Sequence, residues 1–239
     1  MNLRISEIYL SIQGEGPRVG EPTIFVRFGG CNLKCPGWPC DSQFAIDPQY
    51  RSEWMDHTPE EVTKLVITAI GEQPKVNICL TGGEPFLQQK HELEILVTLL
   101  YDIVEVNVVE CFSNGTLEYP LWAIEQIHFV MDWKLPGSGE KTEVPMRLKN
   151  FSELTSKDAV KFTIANDMDF ETALLVYNEN FFAYDDMPEL EDLPQVFFGA
   201  VWGKVTNEEL IFWVFERNLP WRLNVQVHNY VYDRNKRGI

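Results

Sequence analysis

Three of the chain's five cysteines fall within ten residues, Cys31, Cys35 and Cys40, in the stretch "FGGCNLKCPGWPCDSQFAI". Four chemistries could use them: a disulfide knot, a zinc site, an iron–sulfur site or ordinary packing. An odd cysteine count fits poorly with a complete disulfide framework, and no secretory leader precedes it. A structural zinc site normally takes four protein ligands, and no fourth Cys or His lies close in sequence. Three thiolates on a flexible Gly- and Pro-bearing loop can instead wrap an iron–sulfur cubane. Such clusters normally take four thiolates, so one iron would stay open to another ligand. Cys79 and Cys111 lie in apolar runs and read as buried strand residues.

These cysteines need a frame, and the sequence supplies one by alternation. "TIFVRFGG", "KVNICLTGGEP", "VEVNVVECFSNGT", "IHFVMDWKLPGSG", "AVKFTIAND", "QVFFGAVWG" and "RLNVQVHNY" read as strands, most of them running into turns. Between them, "TPEEVTKLVITAI", "QKHELEILVTLLY", "DFETALLVYNEN" and "TNEELIFWVFERN" read as helices. The first of these carries Thr58 as N-cap and Pro59 in the first turn. This order predicts an α/β fold, a partial (β/α) barrel of mostly parallel strands with right-handed crossovers. "QGEG", "GGC", "TGGEP", "SNGT" and "KLPGSG" follow strands, so they are expected to share the rim at the strands' carboxyl ends, where such folds bind ligands. The acidic stretch Tyr184–Pro194 reads as a surface loop, and residues 1–239 as one domain.

At 239 residues with 45% hydrophobic content, the chain can bury a sizeable core. A net charge of −16 disfavours nonspecific binding to nucleic acid. No apolar run approaches the roughly 18 residues of a membrane span. Cysteines without a leader point to a reducing compartment, here the cytoplasm.

The cysteine loop resembles that of the radical S-adenosylmethionine (SAM) enzymes. "SIQGEGPRVGEPTIFVRFGGCNLKC", "TGGEPFLQ", "SNGT", "KLPGSG" and the closing "VQVHNY…NKRGI" resemble one family among them, the 7-carboxy-7-deazaguanine synthases. The resemblance runs from residue 6 to the end. The chain departs from the pattern in three places. Cys35 and Cys40 enclose four residues rather than two. Asp41-Ser42 stands where Asp-Thr is usual, and "MDWKLP" where Ser-Pro-Lys precedes a Pro.

The resemblance implies a radical SAM fold in which Cys31, Cys35 and Cys40 hold a 4Fe-4S cluster. Pro39, Asp41, Gly82, Gly83, Glu84, Ser113, Asn114, Asp132, Trp133 and Lys134 would contact SAM. The two glycines would let backbone approach its methionine end, and Glu84 would accept from its ammonium. Ile12, Gln13, Gly14, Glu15, Arg27, Thr81, His228 and the terminal carboxylate of Ile239 would bind a pterin, with Arg27 forked onto its carboxylate. Ser42 would ligate Mg²⁺. Each has a plainer reading from the residues alone: Gln13–Gly16 as a turn, Glu84 as an exposed acid, Arg27 as a structural ion pair, Ser42 as a helix cap, the tail as a frayed end. Gly199 and Ala200 stand where relatives tend to carry a Gln near the adenosyl group.

The activity implied is conversion of 6-carboxy-5,6,7,8-tetrahydropterin to 7-carboxy-7-deazaguanine with loss of ammonia, in 7-deazapurine (queuosine-type) biosynthesis. SAM would act as a regenerated radical source. A homodimer and a reductase such as flavodoxin as electron donor are also implied. Two alternatives stay open: a glycyl-radical activating enzyme acting on a protein, and a non-catalytic iron–sulfur or zinc protein.

Overall fold

The structure, a computed structural model of the chain, describes residues 2–38, 40–181, 191–233 and 237–238. Among the described residues, nine strands form one sheet: β1 (Leu3–Ile12), β2 (Pro22–Phe28), β3 (Met55–His57), β4 (Val76–Gly82), β5 (Val106–Ser113), β6 (His128–Trp133), β7 (Ala159–Ile164), β8 (Gln195–Ala200) and β9 (Arg222–Leu223). The helices are α1 (Gln43–Ile46), α2 (Pro59–Ile70), α3 (Lys90–Tyr101), α4 (Leu121–Gln126), α5 (Pro145–Phe151), α6 (Asp167–Phe181), α7 (Asn207–Glu216) and α8 (His228–Val231). Strand order is β3-β1-β2-β4-β5-β6-β7-β8-β9. From β2 to β9 every pairing is parallel, whereas β1 runs antiparallel to both its neighbours. The sheet is open: its edges β3 and β9 do not pair. This is the expected partial (β/α) barrel of mostly parallel strands. Among the described residues, no helix is long and apolar enough to cross a membrane.

Period-two alternation decides what each strand face does. Ile24, Val26 and Phe28 of β2, with Ile78 and Leu80 of β4 and Val109 and Cys111 of β5, pack beneath helices in a core with Val62, Val66, Leu93 and Leu96. Met131, Trp133, Val160, Phe162 and Phe198 build the matching core beside α6 and α7. The other face carries the polar and charged positions: Arg27, Cys79, Thr81, Glu110, Asp132 and Lys161. Helix starts are well specified. Thr58 and Thr206 each accept a hydrogen bond from the backbone N–H three residues on, and Glu61 and Glu209 reach back to close a capping box.

Three expectations change. The first strand was absent from the sequence reading, because a bulge between Ile5 and Glu7 breaks its alternation. The last strand shrinks to Arg222–Leu223, and "VHNY" turns into the short α8. The loops do not all share one rim. Ile12 pairs with Pro22, at the start of β2, and Phe28 pairs with Gly82 at the other end. Antiparallel β1 therefore delivers Gln13–Gly16 to the amino ends of the parallel strands. Most of the acidic stretch Tyr184–Pro194 lies outside the described residues.

Candidate active site

A cavity of about 410 Å³ lies on the polar face of the sheet, between the two ends just distinguished. Its far end is lined by Ile12, Gln13, Gly14, Glu15 and His228. Arg27, Thr81, Asp132 and Lys161 line its middle, and Cys31, Cys35, Cys40, Asp41 and Ser42, with Gly82, Gly83, Ser113, Asn114 and Lys134, complete it.

The far end is tied by charge. Gln13 donates through Nε2 to the buried carboxylate of Glu110. Burial pushes the Glu110 carboxyl up to about 7, against the lowering effects of the Gln13 hydrogen bond and the nearby Arg18. Lys161 donates to Glu15 Oε2 at 2.6 Å, and Glu15 Oε1 is buried with no hydrogen-bond partner among the described residues. His228 lies directly on Gly14: a Cβ there would stand 2.0 Å from its Nδ1. The C-terminal segment thus closes over the Gln13–Gly16 turn, aided by Val227 N donating to Gly14 O at 3.1 Å and Gly16 N donating to Asn224 Oδ1 at 2.9 Å.

Arg27 is fixed before any ligand arrives. It donates to Glu7 Oε1 at 2.7 Å, Ser42 Oγ at 2.9 Å and Tyr9 OH at 2.9 Å. The guanidinium remains charged despite desolvation, because Tyr9 and Glu7 favour its ionised form. Asp132 and Lys134 form a second pair at 2.8 Å, with Asp132 Oδ1 left unpartnered and buried. Desolvation opposes charge on Asp132, but Lys134 and Lys161 hold its carboxyl below the usual range. Lys161 and Asp132 are register partners on β7 and β6.

The cysteine end is built differently. Cys31, Cys35 and Cys40 line the same cavity, yet among the described residues no group of three or more His, Cys, Asp or Glu side chains is gathered as a metal site. Burial pushes the Cys31 thiol up to about 11 and the Cys40 thiol to about 12. Buried, electron-rich sulfur without a cation costs free energy as thiolate. A cationic iron centre would reverse that cost, so the donor set fits an iron–sulfur group.

Two of the residues expected at SAM have side chains engaged outside the cavity lining. Glu84 does not line the cavity. It is fully buried, and its carboxylate accepts from Phe86 N, Ser113 Oγ and Asn114 N at 3.1, 2.9 and 2.8 Å. It fastens the β4 turn to the β5 turn. Trp133 points to the opposite sheet face, into the helix-side core, where alternation must place it once Asp132 faces the cavity. Gly82 and Gly83 line the cavity, but their lack of a side chain is first a packing need. A Cβ on Gly83 would stand 1.7 Å from Gly30 O, and Gly82 has φ +114° with Phe28 backbone 2.4 Å from a Cβ. Pro39 and Ile239 lie outside the described residues. At the start of α1, Ser42 makes no side-chain cap bond. Gly199 faces Asn224, whose side-chain amide goes to Gly16. Lys161, Glu110, Glu7 and Tyr9 were missed in the sequence. Lys161 carried the same signal as Arg27, a single cation in an apolar strand.

Comparison with known proteins identifies the family. A family described as "4Fe-4S single cluster domain" matches residues 12–149. The 7-carboxy-7-deazaguanine synthase of Clostridium acetobutylicum is 30% identical, over 100% of both chains. That of Methanospirillum hungatei is 32% identical, over 96% of this chain and 85% of its own. That of Leptospira interrogans is 32% identical, over 100% and 99%. The crystal structure of QueE from Escherichia coli superposes with a TM-score of 0.70 at 20% identity, covering 95% of this chain and 94% of that one, and so shares the fold. Relatives 30–32% identical over essentially the whole chain place it in the 7-carboxy-7-deazaguanine synthase family.

Proposed function

We propose that this chain converts 6-carboxy-5,6,7,8-tetrahydropterin to 7-carboxy-7-deazaguanine with loss of ammonia, as a radical SAM enzyme of 7-deazapurine biosynthesis. The observation that carries this reading is one cavity with a thiol-lined end and a separate end of fixed hydrogen-bonding groups. Cys31, Cys35 and Cys40 would hold the 4Fe-4S cluster. Gly82, Gly83, Ser113, Asn114, Asp41, Asp132 and Lys134 would surround SAM, with the unpartnered Asp132 Oδ1 available to a donor on it. When bound, cluster and SAM supply the one-electron chemistry that removes hydrogen from the substrate's C6.

The chain's own groups bind and orient. Glu15 keeps one oxygen on Lys161 and offers the other to a ring N–H. Gln13 is oriented by Glu110, and its Oε1 accepts from Gly14 N at 2.9 Å. Arg27 is anchored through Glu7 and Tyr9 and can fork onto a carboxylate with its remaining N–H groups. Ser42 and Asp41 set two oxygens side by side, with Ser42 Oγ donating to Asp41 Oδ1 at 3.2 Å. Ser42 Oγ would ligate Mg²⁺ once Arg27 turns from it to a substrate carboxylate. His228 and Gly14 close the floor and exclude water. A flavodoxin-type reductase as electron donor, a homodimer, a single domain over 1–239 and the cytoplasm complete the reading.

The test is anaerobic. The reconstituted chain, given reductant, SAM, Mg²⁺ and 6-carboxytetrahydropterin, should yield 7-carboxy-7-deazaguanine by mass spectrometry. SAM cleavage without that product would sink the substrate assignment. No cluster at all would return the cysteines to zinc or packing.

A further inference from the structure

The lengthened cysteine loop is not loose. Cys35 has φ +42°, one of two non-glycine residues in the left-handed region among those described, which costs an L-residue about 1 kcal/mol or more. Its backbone N–H and that of Lys34 converge on one oxygen, Glu140 Oε1, at 2.8 Å each. Successive N–H groups aimed at one carboxylate make an anion-binding concavity, and this one is filled from within the chain.

Glu140 does not act alone. It ends a turn that begins at Pro136, and the cysteine loop lies against that turn backbone to backbone. Gly37 N donates to Ser138 O at 2.9 Å. A Cβ on Gly37 would stand 1.8 Å from Gly137 O, and one on Gly139 would stand 2.6 Å from Pro36 Cγ. The turn itself is fixed from behind. Fully buried Asp169 of α6 accepts from Gly137 N at 2.6 Å and from Ala165 N at 2.9 Å. Buried Arg147 of α5 donates to Lys141 O and Thr142 O at 3.1 and 2.7 Å, and to Asn114 O at 3.1 Å. The Cys31 side of the loop is held separately, by Asn114 Nδ2 on Asn32 Oδ1 at 3.0 Å and Asn32 Nδ2 on Thr116 Oγ1 at 2.7 Å.

We propose that the turn Pro136–Glu140 is a dock for Pro36 and Gly37 of the lengthened stretch after Cys35, and that Glu140 is the positioning residue that sets the backbone of Cys35 for cluster binding. This rests on the reading of Cys31, Cys35 and Cys40 as cluster ligands. Gln at position 140 keeps an acceptor oxygen of the same reach, so Glu140→Gln should largely preserve the clamp, whereas Glu140→Ala removes it.

The test uses the full chain in two states. In the metal-free chain, amide hydrogen exchange at Lys34 and Cys35 should be protected, and Glu140→Ala should speed it about tenfold or more, with Glu140→Gln within a few-fold of the parent. In the reconstituted chain, Glu140→Ala should lose iron to a chelator roughly tenfold faster and show an altered cluster electron paramagnetic resonance signal, both rescued by Glu140→Gln. Gly37→Ala, which leaves Glu140 intact but forces the loop off its dock, should speed iron loss as well, and it decides the matter if Glu140→Ala does not fold. Parent-like exchange and iron retention in Glu140→Ala or Gly37→Ala would overturn the proposal while leaving the cluster reading intact. A parent chain that takes up no cluster would overturn that reading instead, and the amide protection would still decide whether the clamp exists.

Discussion

The two ends of the cavity are organised by different forces. From the far end to the middle, side chains distant in sequence are already locked to one another: Lys161 on Glu15, Gln13 on Glu110, Arg27 on Glu7 and Tyr9. At the cysteine end the ordering comes through backbone, with Glu140 and Gly37 fixing the path of the chain, while burial pushes the Cys31 and Cys40 thiols up and Lys134 acts against it. The far end holds its geometry with protein groups alone. The cysteine end holds its route through main-chain contacts. Preorganised charge suits recognition of a polar substrate. A wrapped loop suits a cluster that brings its own bonding.

Perturbing each end should therefore fail in a different way. Cys31→Ala should give the largest loss, a fall in product of about 10³-fold or more together with loss of the cluster's visible absorption, while thermal unfolding of the metal-free chain barely moves. Arg27→Gln should break the side-chain network instead. It leaves the Glu7 carboxylate half-buried without its partner, so unfolding free energy should drop by about 2–3 kcal/mol and product formation by about 100-fold, with SAM cleavage persisting. Parent-like stability in that variant would erase the contrast between the ends.

A smaller effect belongs to Glu110. Its folded-state carboxyl titrates near 7 and its unfolded form near 4.5. Between these values the native chain binds the extra proton, so stability falls as pH rises through this window and is fully present below it. The fall is on the order of 2–3 kcal/mol, and Glu110→Gln should flatten it in denaturant melts at pH 5 and pH 8. The smallest effect is remote from both ends. Thr206→Ala removes the α7 capping box and should cost about 1 kcal/mol without changing cluster content or product.

Much of this arrangement was legible in the sequence, and the gaps have physical causes. The parallel strands announced themselves as apolar runs ending in glycine turns, and the helix starting at Thr58 by its cap. β1 did not, because the bulge after Ile5 shifts which residues face the core, and with it went Glu7 and Tyr9. Its direction was equally hidden, so Gln13 and Glu15 were assigned the right cavity but the wrong rim. Glu84 and Trp133 came from motif position. Three backbone and hydroxyl donors consume the first, and strand alternation turns the second away. "VQVHNY" alternates like a strand, yet Val227 bonds to Gly14 and the chain coils.

The contact between Gly37 and Gly137 has a consequence for inheritance and engineering. Two loops that meet through main-chain atoms, with no room for a methyl on Gly37, are one exchangeable unit although a hundred residues separate them. Neither can drift freely while the other stays fixed. A chimera that imports residues 36–39 into a scaffold bearing a side chain opposite would inherit a collision, and one that imports 136–140 with them would not.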